Sequence, residues 1–100
     1  MLRISIEETV EALEMKLEGR IAGPWAAELS RVWVETAPRL ATRRLVLDLS
    51  SVTYADAGGT ALLGRIYDQT NAELLAGTVW TQSLADQITR GDAQNGNQEL

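Results

Sequence analysis

The chain has 100 residues, of which 45% are hydrophobic and 23% charged, the composition of one ordinary globular domain. Its net charge of −5 argues against a nucleic-acid partner, because binding phosphates requires clustered lysine and arginine side chains. The sequence contains neither cysteine nor histidine, which excludes disulfides, thiol nucleophiles, thiolate zinc sites and histidine bases.

The N-terminal part of the chain alternates between apolar and polar residues in two short runs. Leucine and isoleucine alternate with polar residues over 2–7, and leucine and methionine do so over 13–18. The two runs predict an antiparallel hairpin with one solvated face. Gly23 then interrupts the pattern, Pro24 is placed to begin a helix, and Pro38 is expected to end it.

The second half of the chain predicts alternating strands and helices. Residues 45–50 are nearly continuous in large apolar residues, as in a central strand covered on both faces. A helix pattern begins near Gly58, a short buried strand follows over 72–77, and Thr78 is suited to cap a third helix. Residues 91–100 lack apolar periodicity after a helix-ending glycine, and they predict a flexible C-terminal tail.

This order of elements predicts the fold class and the domain boundaries. A hairpin followed by two strand–helix crossover units gives an α/β domain over 1–90, with about three helices on a small mixed sheet of about four strands. Partners gather at the carboxyl ends of parallel strands, so the loops 50–59 and 77–81 are expected to lie together at a functional edge. Burial is expected for all three tryptophans, Trp25, Trp33 and Trp80.

The segment DAGGT, residues 56–60, lies at the start of the second predicted helix. A helix N-terminus presents unpaired N–H groups and the positive end of the helix dipole. Asp56 is suited to cap those groups, and the two glycines permit close approach of the backbone. A capped tight turn is therefore favoured over an anion-binding site. Asp48, expected on the same edge, is predicted to bond to the backbone of Ser50 or Ser51.

Three segments of the sequence resemble STAS domains, a family that includes bacterial anti-sigma factor antagonists and the cytoplasmic domains of sulfate transporters. LVLDLSSVTYADAGGTALLGRIY, residues 45–67, resembles the family's central signature. LEGRIAGPWAAEL, residues 17–29, resembles the junction of the second strand and first helix, and GTVWTQSLADQIT, residues 77–89, resembles the last helix. The resemblance covers about residues 2–90 and implies a STAS-like interaction domain that is not an enzyme.

The resemblance also implies a partner and a missing switch. Members of the antagonist branch are phosphorylated on the first hydroxyl residue after the motif aspartate, by an anti-sigma factor that is also a serine kinase. Here that position is Ala57 and the next is Gly58, so the usual switch is absent and the binding-competent form is expected to persist. Thr60 is expected to be a helix-start residue and not an acceptor. The predicted docking residues are Tyr54, Asp56, Ala57, Gly58, Gly59, Thr60 and Arg65.

A second branch of the same family remains an alternative. DAGGTALL also resembles the small cytoplasmic STAS subunits of ABC-type phospholipid transport systems, in which the motif tends to read Asp-Thr-Gly-Gly. The partner would then be an ABC transporter ATPase subunit, and Ala57 would again replace the hydroxyl residue. A homodimer is a further alternative that the sequence leaves open.

Two enzyme-like interpretations are disfavoured. A receiver domain needs a lysine late in the chain, whereas the only lysine is Lys16, and the chain is one strand–helix unit too short. A magnesium enzyme that uses Asp48 and Asp56 would lack a base, a nucleophile and a phosphate-binding lysine. We therefore expect no catalytic residue, cofactor or metal site.

Nothing in the sequence predicts a membrane-inserted protein. No apolar run reaches the roughly 18 residues that a membrane-spanning helix requires, and the first residues lack the apolar stretch of a signal peptide. The sequence thus predicts a cytoplasmic protein.

Overall fold

The computed structural model describes residues 1–90, which form strands and helices in the predicted order. The predicted tail over 91–100 lies outside the described residues, as does the glycine expected to end the third helix. The elements are β1 (Leu2–Glu8), β2 (Ala12–Ile21), α1 (Pro24–Leu40), β3 (Arg44–Ala55), α2 (Ala57–Thr70), β4 (Glu73–Leu75) and α3 (Val79–Arg90).

The four strands of residues 1–90 form one mixed sheet in the order β1-β2-β3-β4. The hairpin of β1 and β2 is antiparallel, and β2, β3 and β4 are parallel to one another. Because the chain always advances in the same direction across the sheet, right-handed connections place the crossover helices on one face. The predicted α/β class and the mixed sheet are confirmed.

That covered face holds a single apolar core. Leu13, Met15 and Leu17 from β2 are fully buried, and they alternate with polar residues as the pattern predicted. They belong to one cluster with residues from β3 and all three helices, among them Leu45, Leu47, Leu49, Leu29, Trp33, Leu63, Ile66, Leu84 and Ile88. The core therefore orders every helix against the same side of the sheet.

The opposite face of the sheet is open and polar, which corrects the expectation that β3 is covered on both sides. A groove on this face is lined by side chains of β1, β2 and β3, including Arg3, Ser5, Lys16 and Asp48. Val46, which made the sequence of β3 look continuously apolar, is 9% exposed at the centre of this face. Its position between two neighbouring strands shields it without a second layer of helices.

Helix α1 continues past Pro38 to Leu40, so the prediction that Pro38 ends the helix is wrong. A proline lacks the N–H that would bond the carbonyl four residues earlier, here that of Val34. Val34 is 68% exposed, so water can reach that carbonyl group and the helix tolerates the proline near its end. The N-terminal prediction is confirmed, since Pro24 is the first residue of α1.

Strand β3 is longer at its C-terminal end than the sequence pattern indicated. The segment from Ser51 to Ala55, expected as a loop, continues the strand because it pairs with β2 through two register shifts. Its valine, threonine and tyrosine favour strands. Gly77, which follows β4, lies against Ser50, where an added Cβ would be 2.9 Å from the serine Cβ. This contact places the start of the 77–81 loop beside Ser50, the first residue of the predicted 50–59 loop.

The remaining local predictions have mixed outcomes. Thr78 caps α3, since its Oγ1 accepts the N–H of Thr81 at 3.0 Å. Trp33 is buried at 6% exposure, whereas Trp25 and Trp80 are 38% and 42% exposed, so burial was wrongly predicted for those two. They lie in the first turns of α1 and α3, and neither belongs to the core cluster or packs against it. No helix within residues 1–90 is both long enough and apolar enough to cross a membrane.

Candidate docking site

Asp56 joins the starts of two helices through one carboxylate. Its Oδ1 accepts the N–H of Gly59 at 2.7 Å, which is an N-cap of α2. Its Oδ2 accepts the N–H of Gly23 at 3.1 Å, immediately before α1. The predicted cap is confirmed, and the second bond fixes the start of α1 relative to that of α2.

Both carboxylate oxygens of Asp56 are occupied by backbone N–H groups of the protein itself. The hydrogen bond from Gly59 and then that from Gly23 lower the pKa of Asp56 below its ordinary value, so the side chain is charged at neutral pH. That negative charge occupies the positive end of the α2 dipole. A bound phosphate would have to displace it, which favours the structural interpretation of this turn over an anion site.

The two glycines that follow have different structural roles. A Cβ added at Gly59 would lie 2.2 Å from the carbonyl oxygen of Ile21, so a side chain there would clash with the end of β2. The same carbonyl accepts the N–H of Asp56 at 3.2 Å. At Gly58 an added Cβ would meet only Asp56 Oδ1 at 3.6 Å, an ordinary contact. Close backbone approach therefore requires glycine at 59 but not at 58.

Ala57 and Gly58 are the exposed residues at the start of α2. Thr60 is half-buried, and its N–H donates to the carbonyl oxygen of Asp56 at 2.9 Å as part of the first helical turn. Arg65 is exposed on α2, eight residues beyond Ala57 and about 12 Å further along the helix axis. The structure thus groups the predicted residues 54–60 at one end of the sheet, with Arg65 further along α2.

Two residues at this end were missed by the sequence analysis. Arg20 on β2 lies over the ring of Tyr54 on β3, with its guanidinium carbon 4.6 Å from the ring centroid. This contact depends on irregular parallel register, for which the sequence has no signal. Trp25 is 38% exposed in the first turn of α1, two residues after Gly23. These residues and the exposed start of α2 make up the candidate docking surface, called the docking surface below: Arg20, Trp25, Tyr54, Ala57 and Gly58.

Asp48 lies on the open face of β3, away from the docking surface. Its Oδ1 accepts the N–H of Ser50 at 3.0 Å and the hydroxyl of the same residue at 2.6 Å, which confirms the predicted local bonding. Partial burial raises the pKa of Asp48, but the bonds from Ser50 and the charge of Lys16 outweigh it, so the pKa is lowered. Seven residues of strand separate Asp48 from Asp56, too far for a carboxylate pair on one metal ion.

The overall architecture has a counterpart among solved structures. The anti-sigma factor antagonist SpoIIAA in its unphosphorylated form matches with a TM-score of 0.58 and 18% sequence identity. The match covers 90% of this chain and 84% of that chain. The fold is that of a STAS domain. Searches by sequence alone find no matching family model and no matching curated protein.

Within this STAS fold, the residues around the helix start divide into two groups. Asp56 and Gly59 are needed for the turn itself, because one caps α2 and the other permits its approach to β2. Ala57 and Gly58 are exposed, and within residues 1–90 no contact requires an alanine or a glycine at these positions. The two exposed positions that the turn does not constrain therefore both lack a hydroxyl group.

Proposed function

We propose that the chain is a non-enzymatic interaction domain that acts as an anti-sigma factor antagonist in the cytoplasm, and that it binds an anti-sigma factor of the serine-kinase type. The observation that carries this proposal is the match to an unphosphorylated anti-sigma factor antagonist over 90% of the chain. The exposed Ala57 at the capped start of α2 supports the same interpretation. Binding occurs through the docking surface.

The domain remains competent to bind because its kinase-type partner has no hydroxyl to modify at this site. A phosphate at the first residue of α2 would add a charge of about −1.5 to −2 and three oxygens to the docking surface. Ala57 cannot carry it, and neither can Gly58. The nearest hydroxyl residue within α2 is Thr60, which is half-buried in the first turn.

The direct experiment combines complex formation with phosphate transfer. The purified chain is incubated with each serine-kinase-type anti-sigma factor of the source organism and radiolabelled ATP, then examined by size-exclusion chromatography and autoradiography. We expect one of them to form a complex without labelling the chain, and an Ala57→Ser variant to become labelled. Labelling of the wild type would refute the absence of the switch, and failure to form any complex would refute the antagonist role.

A charge substitution at Ala57 tests whether this surface carries the contact. Ala57→Glu should weaken binding by about tenfold or more, because it places a charge and a longer side chain in the interface. A glutamate in the first turn interacts favourably with the helix dipole, so folding should be unaffected. Ala57→Gln is the matched control for size. Unchanged affinity in both variants would remove the start of α2 from the interface.

The alternative partner, an ATPase subunit of an ABC-type phospholipid transport complex, is favoured by one observation. Packing requires glycine at position 59 but not at position 58, so packing does not account for the agreement of Gly58 with the motif of that branch. Affinity purification of the tagged chain from its source cell separates the two proposals. Recovery of an ATPase subunit, with no anti-sigma factor, would replace the antagonist role.

A further inference from the structure

The docking surface carries a fixed positive charge in a chain that is negative overall. Arg20 is exposed, and its guanidinium group stacks on the ring of Tyr54, itself 42% exposed, at 4.6 Å. The backbone of Arg20 is also anchored, because its N–H donates to the carbonyl oxygen of Met1 at 2.9 Å. An arginine held at both its backbone and its side chain loses little conformational entropy when it binds a partner.

Arg20 has no acidic partner among the residues that the structure describes. Three other arginines, Arg31, Arg39 and Arg43, form ion pairs with glutamates on α1 and β1. Glu18 lies two residues before Arg20 on β2, but the two form no ion pair in the described part of the chain. Asp56, two residues beyond Tyr54, already accepts the N–H groups of Gly59 and Gly23 with its two oxygens. The positive charge of Arg20 is therefore available to another molecule.

The charge of this end of the domain differs from that of the whole chain. Segments 19–27 and 51–65 contain two arginines and one aspartate, whereas the whole chain has a net charge of −5. Arginine, tyrosine and tryptophan are also the residue types that dominate binding hot spots in protein interfaces. One cation with two partly exposed aromatic rings fits a protein partner better than a polyanion, which the rest of the chain would repel.

We propose that Arg20, stacked on Tyr54, is the charged contact of the docking surface and pairs with a carboxylate in an acidic segment of the partner protein. This inference rests on the proposed function, since it specifies the chemistry of the partner at the same surface. The planar guanidinium can bind a carboxylate through two parallel hydrogen bonds while its face remains on the ring. Trp25, 38% exposed at the start of α1, adds an aromatic side chain to the same surface.

The experiment measures the affinity of the purified anti-sigma factor that forms the complex, by isothermal titration calorimetry, for a series of Arg20 variants. We expect Arg20→Gln to weaken binding by about tenfold, Arg20→Glu to weaken it further, and Arg20→Lys to fall between the wild type and Arg20→Gln. Arg44→Gln is the matched control, because it removes the same charge from an exposed arginine at the start of β3. It should leave the affinity within about twofold of the wild type.

The salt dependence of binding, and the particular binding experiment that fails, distinguish this inference from the proposed function. Added sodium chloride should weaken the wild-type complex more than the Arg20→Gln complex, because salt screens the ion pair of Arg20, which the variant lacks. A wild-type complex that Arg20→Gln and Arg20→Glu leave intact overturns the inference alone. No complex with any anti-sigma factor overturns both. Binding of the chain to phosphatidylglycerol vesicles through Arg20, without the anti-sigma factor, also overturns the inference. Unchanged circular dichroism and Tm verify that each variant folds.

Discussion

Adjacent glycines at the start of α2 should respond in opposite ways to the same substitution. In Gly59→Ala the new Cβ would be placed 2.2 Å from the carbonyl oxygen of Ile21, and about 1 Å of displacement is needed to relieve the contact. The displaced backbone would also lengthen the bond from Gly59 to Asp56. Overpacking of this kind costs about 1–3 kcal/mol, which for a domain of this size lowers Tm by roughly 4–24 °C.

Gly58→Ala is the matched control for the same prediction. The added Cβ meets only ordinary contact at 3.6 Å, and alanine favours the helix over glycine, so stability should rise by about 0.5 kcal/mol. Urea unfolding followed by circular dichroism at the helix band measures both variants. Equal stability of the two variants, or a loss at Gly58 as large as that at Gly59, would refute the close approach between α2 and β2.

Three further predictions concern the turns and the ends of helices. Ala41 occupies φ 52° and ψ −123°, a conformation that favours glycine. Ala41→Gly should therefore raise the free energy of unfolding, measured by urea titration, by about 1 kcal/mol, and a lower free energy of unfolding would refute backbone strain at this residue. The pKa of Asp56 is lowered in the folded state, so its stabilisation is present above the unfolded pKa of about 3.9 and is lost as pH falls through the folded pKa. Asp56→Asn should therefore flatten the fall in unfolding midpoint below about pH 4, and an unchanged acid profile would contradict the assignment. Arg43→Ala should lower the free energy of unfolding by about 1–3 kcal/mol, because this 21% exposed side chain donates to the carbonyl of Thr9 and pairs with Glu8. Arg31→Ala should leave the thermal midpoint unchanged, since the ion pairs of Arg31 with glutamates are exposed.

The predictable part of the fold came from patterns that follow directly from backbone geometry. Alternation over β1 and β2 determined which residues enter the core, and the order of elements determined the mixed sheet. Pro24 and Thr78 marked helix starts because proline and threonine satisfy or remove unpaired N–H groups there. These signals are local, and each depends on a few consecutive residues.

Apart from Pro38, which α1 tolerates near its end, the wrong predictions concern features that depend on distant residues. The extension of β3 to Ala55 depends on β2 continuing beside it, and the exposure of Trp25 depends on where α1 meets the core. The bond from Asp56 to Gly23 spans 33 positions, and the stacking of Arg20 on Tyr54 spans two shifts of register. Neither has a sequence pattern of its own, so the sequence did not predict the part of the candidate docking surface that lies on β2 and α1.

The motif at the start of α2 contains more structural information than functional information. Asp56 would be retained by any sequence that needs this cap and this link to α1, and Gly59 by any sequence that brings α2 this close to Ile21. Their presence therefore supports the fold and says little about the partner. Ala57 and Gly58 have no such packing requirement, and a serine would fit at either position. The turn would accept a hydroxyl group, so packing does not account for its absence, and this makes Ala57→Ser the most informative single substitution for the proposed loss of the switch.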